Sequence, residues 1–388
     1  MYIHHHPYTS LLSHLTTHLP NSGPLLRRVQ YQSTHNSPTA HILATLPPES
    51  ESGPPDPGSP WLAAYADIHR GPDTQIWLFS SLEANTTLTG KEREITKSQL
   101  LTLFTKIRVD LIPPYLETFS ASGRPVAVPG EEEQEKEQEQ GIKKIPAHPK
   151  TSFLLGTVHA RLVDLICELS SETLSTSTSS PKLNPTVRIL RGQNVFYAKY
   201  CFPSSSFSIP VHELEKAAEA GYKFHDPSTG ISGIQSHHLD LVKSRTHIPR
   251  SKEALLAMGG VALYYYPSTT SSTSLSTSRK MERVNMPIAW AFLGFDGSLT
   301  SLHVEVEHRG KGLGGLVGRE VMQRGVDVFG PKPESESASA SGDGSTRERE
   351  EWFYADVAVD NGASRRVMEK MGGVGLWDVA WMVIEVDV

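Results

Sequence analysis

The stretch Leu302-His303-Val304-Glu305-Val306-Glu307-His308-Arg309-Gly310-Lys311-Gly312-Leu313-Gly314-Gly315-Leu316 constrains this chain more than any other. Its first residues read as a strand. Gly310, Gly312 and Gly314 then read as a turn. Leu313, Leu316, Val317 and Val321, at i, i+3, i+4 and i+8, read as the apolar stripe of a helix. Closely spaced glycines let the backbone bend until successive N–H groups point at one spot. Together with the positive end of the helix dipole they make an anion site. Arg309 and Lys311 add charge that a pyrophosphate could use. Two blander readings compete. One is a plain connecting turn. The other is the dinucleotide pattern G-x-G-x-x-G, against which stand the order Arg-x-x-Gly-x-Gly and the lack of a following βαβ unit with a suitably placed acidic residue.

With 388 residues the chain is long for one compact domain and comfortable for two, and 38% apolar residues suffice for a core. The net charge of −6, with no dense Lys/Arg run interleaved with aromatics, argues against nucleic acid as the main partner. Cys167 and Cys201 form neither a metal-ligand cluster nor a disulfide framework, and they fit a reducing compartment. Cys201 reads as a small core residue. No apolar run approaches a membrane span, and the start MYIHHHPYTS lacks the pattern of a secretory signal. The expectation is a soluble, cytoplasmic protein with no membrane partner. His4-His5-His6 reads as a disordered, tag-like run, and no metal site is expected.

Five stretches, 47–60, 129–141, 170–186, 268–280 and 331–350, are too poor in apolar residues to offset the entropy of ordering, and read as flexible insertions. Between them the chain is orderly. Ala63–Ala66 and Gln75–Phe79 read as paired strands. Leu100 to Leu116 and Leu154 to Ile166 carry apolar residues at helical spacing, with Pro113 and Pro114 expected to end or kink the first helix. From residue 211 onward a helix is expected at 213–220 and another at 239–243. Strands follow at 261–266, 288–293 and 299–304, the last two joined by a tight turn at Asp296-Gly297. After the Gly-rich segment come a strand at 352–359, a helix at 363–371 and a last strand at 377–388. Ala363, Val367 and Met371 read as core.

Val304-x-x-x-x-Arg309-Gly310-Lys311-Gly312-Leu313-Gly314 resembles the acyl-CoA pyrophosphate loop of the GNAT superfamily of N-acyltransferases. Val359-Asp360-Asn361-Gly362-Ala363-Ser364-Arg365-Arg366-Val367-Met368-Glu369-Lys370-Met371-Gly372 resembles that superfamily's later strand–Asn–helix–Gly segment. Pro287–Phe292 with Asp296-Gly297 is similar to the strand and hairpin before the loop in the glycine N-acyltransferase-like branch. The resemblance covers about residues 222–388. It implies acetyl-CoA or another acyl-CoA as co-substrate, held by Val304, Arg309, Gly310, Lys311, Gly312, Leu313, Gly314, Gly315, Asn361 and Ser364. It also implies transfer to an amine, the acceptor being a small-molecule amine or an amino acid. Three positions depart from the family. Met368 stands where a Tyr often protonates the leaving thiolate, Gly373 where Phe is usual, and Val306 where Pro is common.

A thioester is already activated, so the protein need only take a proton from the amine. His303 and Glu305, on the strand before the loop and facing away from Leu302 and Val304, are the candidate catalytic residues, with Glu307 a further one. Tyr354 and Asp356 on the neighbouring strand are candidates for positioning the acceptor. Asn361 suits an N-cap as well as a contact to the cofactor arm. Arg365 and Arg366 suit a solvated face. The expected fold is α/β. A GNAT-type mixed, largely antiparallel sheet in the C-terminal domain (211–388) splays near Val304 and Val359 and is flanked by helices. A smaller α/β domain (1–210) precedes it, a degenerate copy being one form open to it. A non-catalytic acyl-CoA-binding protein and a protein lysine or N-terminal acetyltransferase stay open as alternatives.

Overall fold

Short, strongly apolar runs separated by turn residues set up the N-terminal strands. β1 (Tyr2–His4), β2 (His41–Ala44), β3 (Leu62–Ala66) and β4 (Ile76–Ser80) pair antiparallel in sequence order in a computed structural model of the chain. β5 (Ser152–His159) joins β4 in parallel through Ile76↔Leu155 and Trp77↔Gly156. The structure describes residues 1–48, 58–71, 73–121, 147–177, 185–226, 228–246, 248, 250–266, 286–329 and 351–388. The stretches 129–141, 268–280 and 331–350 lie outside these residues.

Helices α1 (Thr9–Thr16) and α2 (Gly23–Thr34) cover one face of this sheet, packing Leu15, Leu25 and Val29 on Tyr65, Trp77 and Phe79. α3 (Gly90–Lys106), α4 (Ile112–Ala121) and α5 (Ala160–Ser177) cover the other, with Leu100, Phe104 and Ile166 on Leu43, Leu78 and Leu155. The Thr89/Glu92 capping box starts α3. β6 (Thr186–Arg191) and β7 (Phe196–Pro203) end this part. Next come α6 (Val211–Glu219), β8 (Tyr222–Lys223), α7 (Leu239–Ser244), α8 (Lys252–Met258), β9 (Gly260–Tyr265), β10 (Ala289–Leu293) and β11 (Leu299–Val304). The chain closes with α9 (Leu313–Phe329), β12 (Trp352–Ala358), α10 (Gly362–Lys370) and β13 (Val374–Asp387).

One element order occurs twice. A strand, two helices, three strands, a helical segment, a strand, a helix and a strand run from β1 to β6, and again from β8 to β13. The C-terminal part therefore follows the plan of the N-terminal part. The strands are nevertheless shared. β13 lies between β5 and β7 and also pairs with β6, while β7 runs on to pair with β12, giving the order β1-β2-β3-β4-β5-β13-β7-β12. A second sheet has the order β11-β10-β9-β8. Buried polar contacts tie the two parts together: Trp77 Nε1 donates to Asp296 Oδ2 at 3.2 Å, Tyr354 Oη to the Pro20 carbonyl at 3.1 Å, and Arg27 Nε to the Trp352 carbonyl at 3.3 Å. Lys199 on β7 and Asp356 on β12 form a buried ion pair at 2.5 Å.

Several expectations are corrected. Residues 152–159 form a strand rather than the start of a helix. Their apolar positions match helical spacing, but the segment is held between β4 and β13, and Leu155 and Val158 enter the α3–α5 core. The helix through 100–116 does not end at the prolines. A π-helical turn at Ile107–Leu111, in which the Ile112 N–H reaches back to the Ile107 carbonyl, puts Pro113 and Pro114 in the first turn of α4, where their missing N–H groups are not needed. Residues 170–177 continue α5 instead of starting a flexible stretch. His4 is buried in β1 with Nε2 2.9 Å from the Leu46 carbonyl, so the histidine run is anchored at its first member. Ala363 is exposed, whereas Met371 is core.

Asp356→Asn leaves the Lys199 ammonium buried without its counter-charge. It should cost about 3–5 kcal/mol in urea unfolding, and Lys199→Met combined with Asp356→Leu should recover most of that loss. Equal stability of the single and double variants would show that the pair is not what holds this seam.

Candidate functional site

β11 and β12 meet only at their beginnings. The Tyr354 N–H donates to the Gly297 carbonyl at 3.0 Å, and Ser298↔Tyr354 form an isolated parallel bridge. Beyond it the described residues show no pairing between the two strands. Main-chain groups alternate in direction along a strand. On β12, those of Asp356 and Ala358 therefore face the opening, as Tyr354 does. On β11, the Glu305 N–H donates to Ile288 beside β10 at 2.8 Å, so those of Val304 face the opening too. Two of these groups are met locally, the Val304 carbonyl by Arg309 Nε and the Ala358 carbonyl by the Asn361 N–H, each at 2.9 Å, and the others, this far inside a fold, call for a partner. A chain bearing amides, drawn between the strands, would supply one.

A bulge sets the faces of β11. Trp290 pairs with His303 but Phe292 with Thr300, so β11 carries one extra residue at 301–302, and Ser301 takes a left-handed φ of +52°. As a result Leu302 and Val304 turn into the core beneath α9, and His303 turns the other way. There its ring stacks on Trp290 at 4.6 Å, with 22° between planes. His303 Nε2 is buried, makes no hydrogen bond among the described residues and lies 3.8 Å from Glu305 Oε2. Burial lowers the His303 pKa. Glu305 opposes that shift, while Arg309 and Arg245 add to it, so the imidazole is neutral near pH 7. Glu305 is itself engaged by Arg245 Nε at 2.9 Å. Glu307 is exposed on the outer loop.

The glycine segment leaves β11 through a single 3₁₀ turn at Val306–His308 and enters α9 at Leu313. Gly310 and Gly312 have φ of +76° and +79°, which side-chain-bearing residues rarely adopt. Among the described residues no acceptor meets the N–H groups of Lys311, Gly312, Leu313 or Gly314, and they open the helix. A Cβ on Gly314 would lie 3.7 Å from both Val304 and Val367, so the glycine leaves the mouth of the opening clear. Gly315 packs beside Met371. Arg309 Nε donates to the Val304 carbonyl at 2.9 Å, placing the guanidinium at the end of β11. Lys311 is held elsewhere: Nζ donates to the Tyr222 hydroxyl at 3.0 Å, and that hydroxyl lies 3.1 Å from His308 Nδ1. That bond raises the Lys311 pKa. Asn361 Oδ1 accepts the Ser364 N–H at 3.0 Å and so caps α10. Met368 is buried, Tyr354 is fully buried and tied to Pro20, and Arg365 is bonded to Tyr200 and to the Val359 carbonyl.

These residues fit an acyl-CoA. Loop amides suit the pyrophosphate, and unpaired strand groups suit the pantetheine amides. The corresponding opening in the N-terminal part, between β4 and β5, is filled. Glu83 Oε1 accepts the Ser80 N–H at 3.0 Å, and Arg161 reaches the carbonyls of Leu82 and Thr86 at 3.3 Å. Burial pushes the Glu83 pKa up to about 8. Cys201 is fully buried with its thiol pushed up to about 12, so it is no nucleophile. Sequence reading missed Tyr222 and Arg245, which lie 89 and 60 residues before Lys311 and Glu305. No local pattern links such distant positions. Among the described residues no His/Cys/Asp/Glu group could hold a metal ion, and no helix is long and apolar enough to cross a membrane.

Comparison with known proteins adds a family. A model described as the acyl-CoA N-acyltransferase verG N-terminal domain matches residues 1–200, the part without the glycine loop. No curated protein matches the chain. Among solved structures, a Drosophila protein is similar over 96% of this chain and 95% of its own, at 11% identity and TM-score 0.48. A GCN5-related N-acetyltransferase from Kribbella flavida covers 60% of this chain and 66% of its own, at 12% identity and TM-score 0.31.

Gly312→Val forces a branched side chain into a left-handed φ and should weaken acetyl-CoA binding at least about tenfold with the fold kept. Thermal-shift titration with acetyl-CoA and circular dichroism check the two halves of that statement.

Proposed function

The chain belongs to the acyl-CoA N-acyltransferase family whose N-terminal domain matches residues 1–200, and we propose that it moves an acyl group from acyl-CoA to an amine at the opening between β11 and β12. The observation that carries this reading is the pair of diverging strands with unpaired main-chain groups, ending at a helix-opening glycine loop. The amides of Gly312, Leu313 and Gly314 bind the pyrophosphate, with Arg309 at the rim. The N–H groups of Val304 and Ala358 and the main-chain groups of Asp356 are offered to the pantetheine arm. The co-substrate brings an activated thioester, so no protein nucleophile is needed. N–H groups near the β11 bulge polarise its carbonyl. Neutral His303, on the opposite face from the α9 core, takes the amine proton directly or through a water. Glu305 is the runner-up, but its ion pair with Arg245 lowers its availability. Met368 has no proton to give, so the leaving thiolate is protonated by water.

We take acetyl as the acyl group and a small amine or amino acid as the acceptor, in a cytoplasmic enzyme whose glycine-loop part begins near residue 211. One observation favours acyl-CoA binding without turnover: Met368 occupies the place of the family's acid. Binding of acetyl-CoA with no product from any amine would establish that second reading.

His303→Ala should lower kcat by about two to four powers of ten while leaving acyl-CoA affinity unchanged, and the deficit should shrink as pH rises and the amine arrives deprotonated. Because the His303 pKa is depressed, the acid limb of the wild-type kcat profile should lie below the ordinary imidazole range. A parallel pH–rate series on Glu305→Gln separates the two candidates. Wild-type kcat for His303→Ala throughout that series would remove it as the base. Calorimetric titration should find one acyl-CoA per chain, since Glu83 and Arg161 fill the opening between β4 and β5.

A further inference from the structure

We infer that the face of the shared strands beside the opening is the acceptor subsite, and that it takes a primary amine carried on an aromatic body. The inference rests on the acyl-transfer reading above. Residues directly opposite in an antiparallel pair share a face. Tyr197 lies opposite Ala358 and Val379, Lys199 opposite Asp356 and Trp377, and Val379 opposite His159. Tyr197, Lys199, Asp356, Trp377 and His159 therefore share one face across four strands. The other face of β12, with Phe353, Ala355 and Val357, enters the same core as Leu302 and Val304. The Tyr197–Trp377 face is thus on the side of the sheet to which His303 turns.

Three features of this face suit an aromatic guest. Tyr197 and Trp377 are only half-buried, and the Tyr197 hydroxyl makes no hydrogen bond among the described residues. The His159 ring stacks on Trp377 at 6.0 Å, with 25° between planes. Finally, the face carries little net charge. Burial, and after it the charge of Arg161, drops the His159 pKa to about 4, leaving its ring neutral; Lys199 and Asp356 neutralise each other at 2.5 Å, and the Arg161 guanidinium is held by the carbonyls of Leu82 and Thr86. A ring lying across Tyr197 and Trp377 gains stacking and apolar contact, and its ammonium, before losing a proton, meets π faces. A short alkylamine makes the ammonium contacts but leaves the rings uncovered. Two of the strands, β5 and β7, come from the part of the chain that lacks the glycine loop. That part would then supply much of the acceptor specificity.

Calorimetric titration of 2-phenylethylamine and of ethylamine into the full chain saturated with coenzyme A tests this directly. The aromatic amine should bind at least about tenfold more tightly. Trp377→Ala or Tyr197→Ala should bring the two amines within about twofold, and Tyr197→Phe should keep the preference. Equal affinity of the two amines for the wild-type protein, or no binding of either, overturns the proposal, whether or not any variant folds. A folded Trp377→Ala/Tyr197→Ala double variant that keeps the full preference overturns it as well. Failure of coenzyme A to bind in the first step would count against the acyl-transfer reading itself. Intact coenzyme A binding with equal amine affinities would sink the aromatic subsite alone.

Discussion

Everything in the proposed site follows from the parting of β11 and β12 just after the Ser298–Tyr354 bridge. A sheet normally satisfies its main-chain groups by pairing, and a break inside it leaves donors and acceptors without partners. Here the break is held open by what surrounds it. The bulge at 301–302 turns β11, α9 rises from the end of the loop, and α10 packs against α9 through Met371. The opening is therefore a fixed feature of the packing, and the chemistry proposed for it needs no rearrangement of the strands.

Charge is distributed around the opening differently from what residue types alone imply. Lys311 is drawn to Tyr222 and His308, away from the loop amides, and Arg309 holds the Val304 carbonyl. Anion recognition at the loop then falls mainly to main-chain N–H groups and the end of the helix, a geometry that side-chain mobility does not blur. Glu305 is similarly occupied by Arg245, which leaves the stacked, neutral imidazole of His303 as the group on that strand with an unused ring nitrogen.

The glycine loop, its helix and the strands around them were legible because their signals are local: fixed glycine spacing, an apolar stripe, an Asp-Gly turn. The segment 152–159 was misread because a strand buried on both faces has no period of two to show. Pro113 and Pro114 misled because a π-turn can place prolines where a helix tolerates them. The sharing of β7 and β13 left no trace at all. Each reads as a strand, and which strand it joins depends on residues more than a hundred positions away. The same holds for Tyr222, Arg245 and the Tyr197–Trp377 face, since contacts across the fold carry no spacing that a single sequence reveals. The doubled element order has no shared motif behind it, and the family resemblance offered a degenerate copy only as one form open to the N-terminal part.

The sharing of strands also bears on the time course of synthesis. β13 comes last among the described elements, yet it occupies the middle of the sheet begun by β1. During vectorial synthesis β5 and β6 must wait, edges unpaired, until residues 374–387 leave the ribosome. A premature stop anywhere before β13 would strand an incomplete sheet with open edges, the kind of surface that recruits other chains.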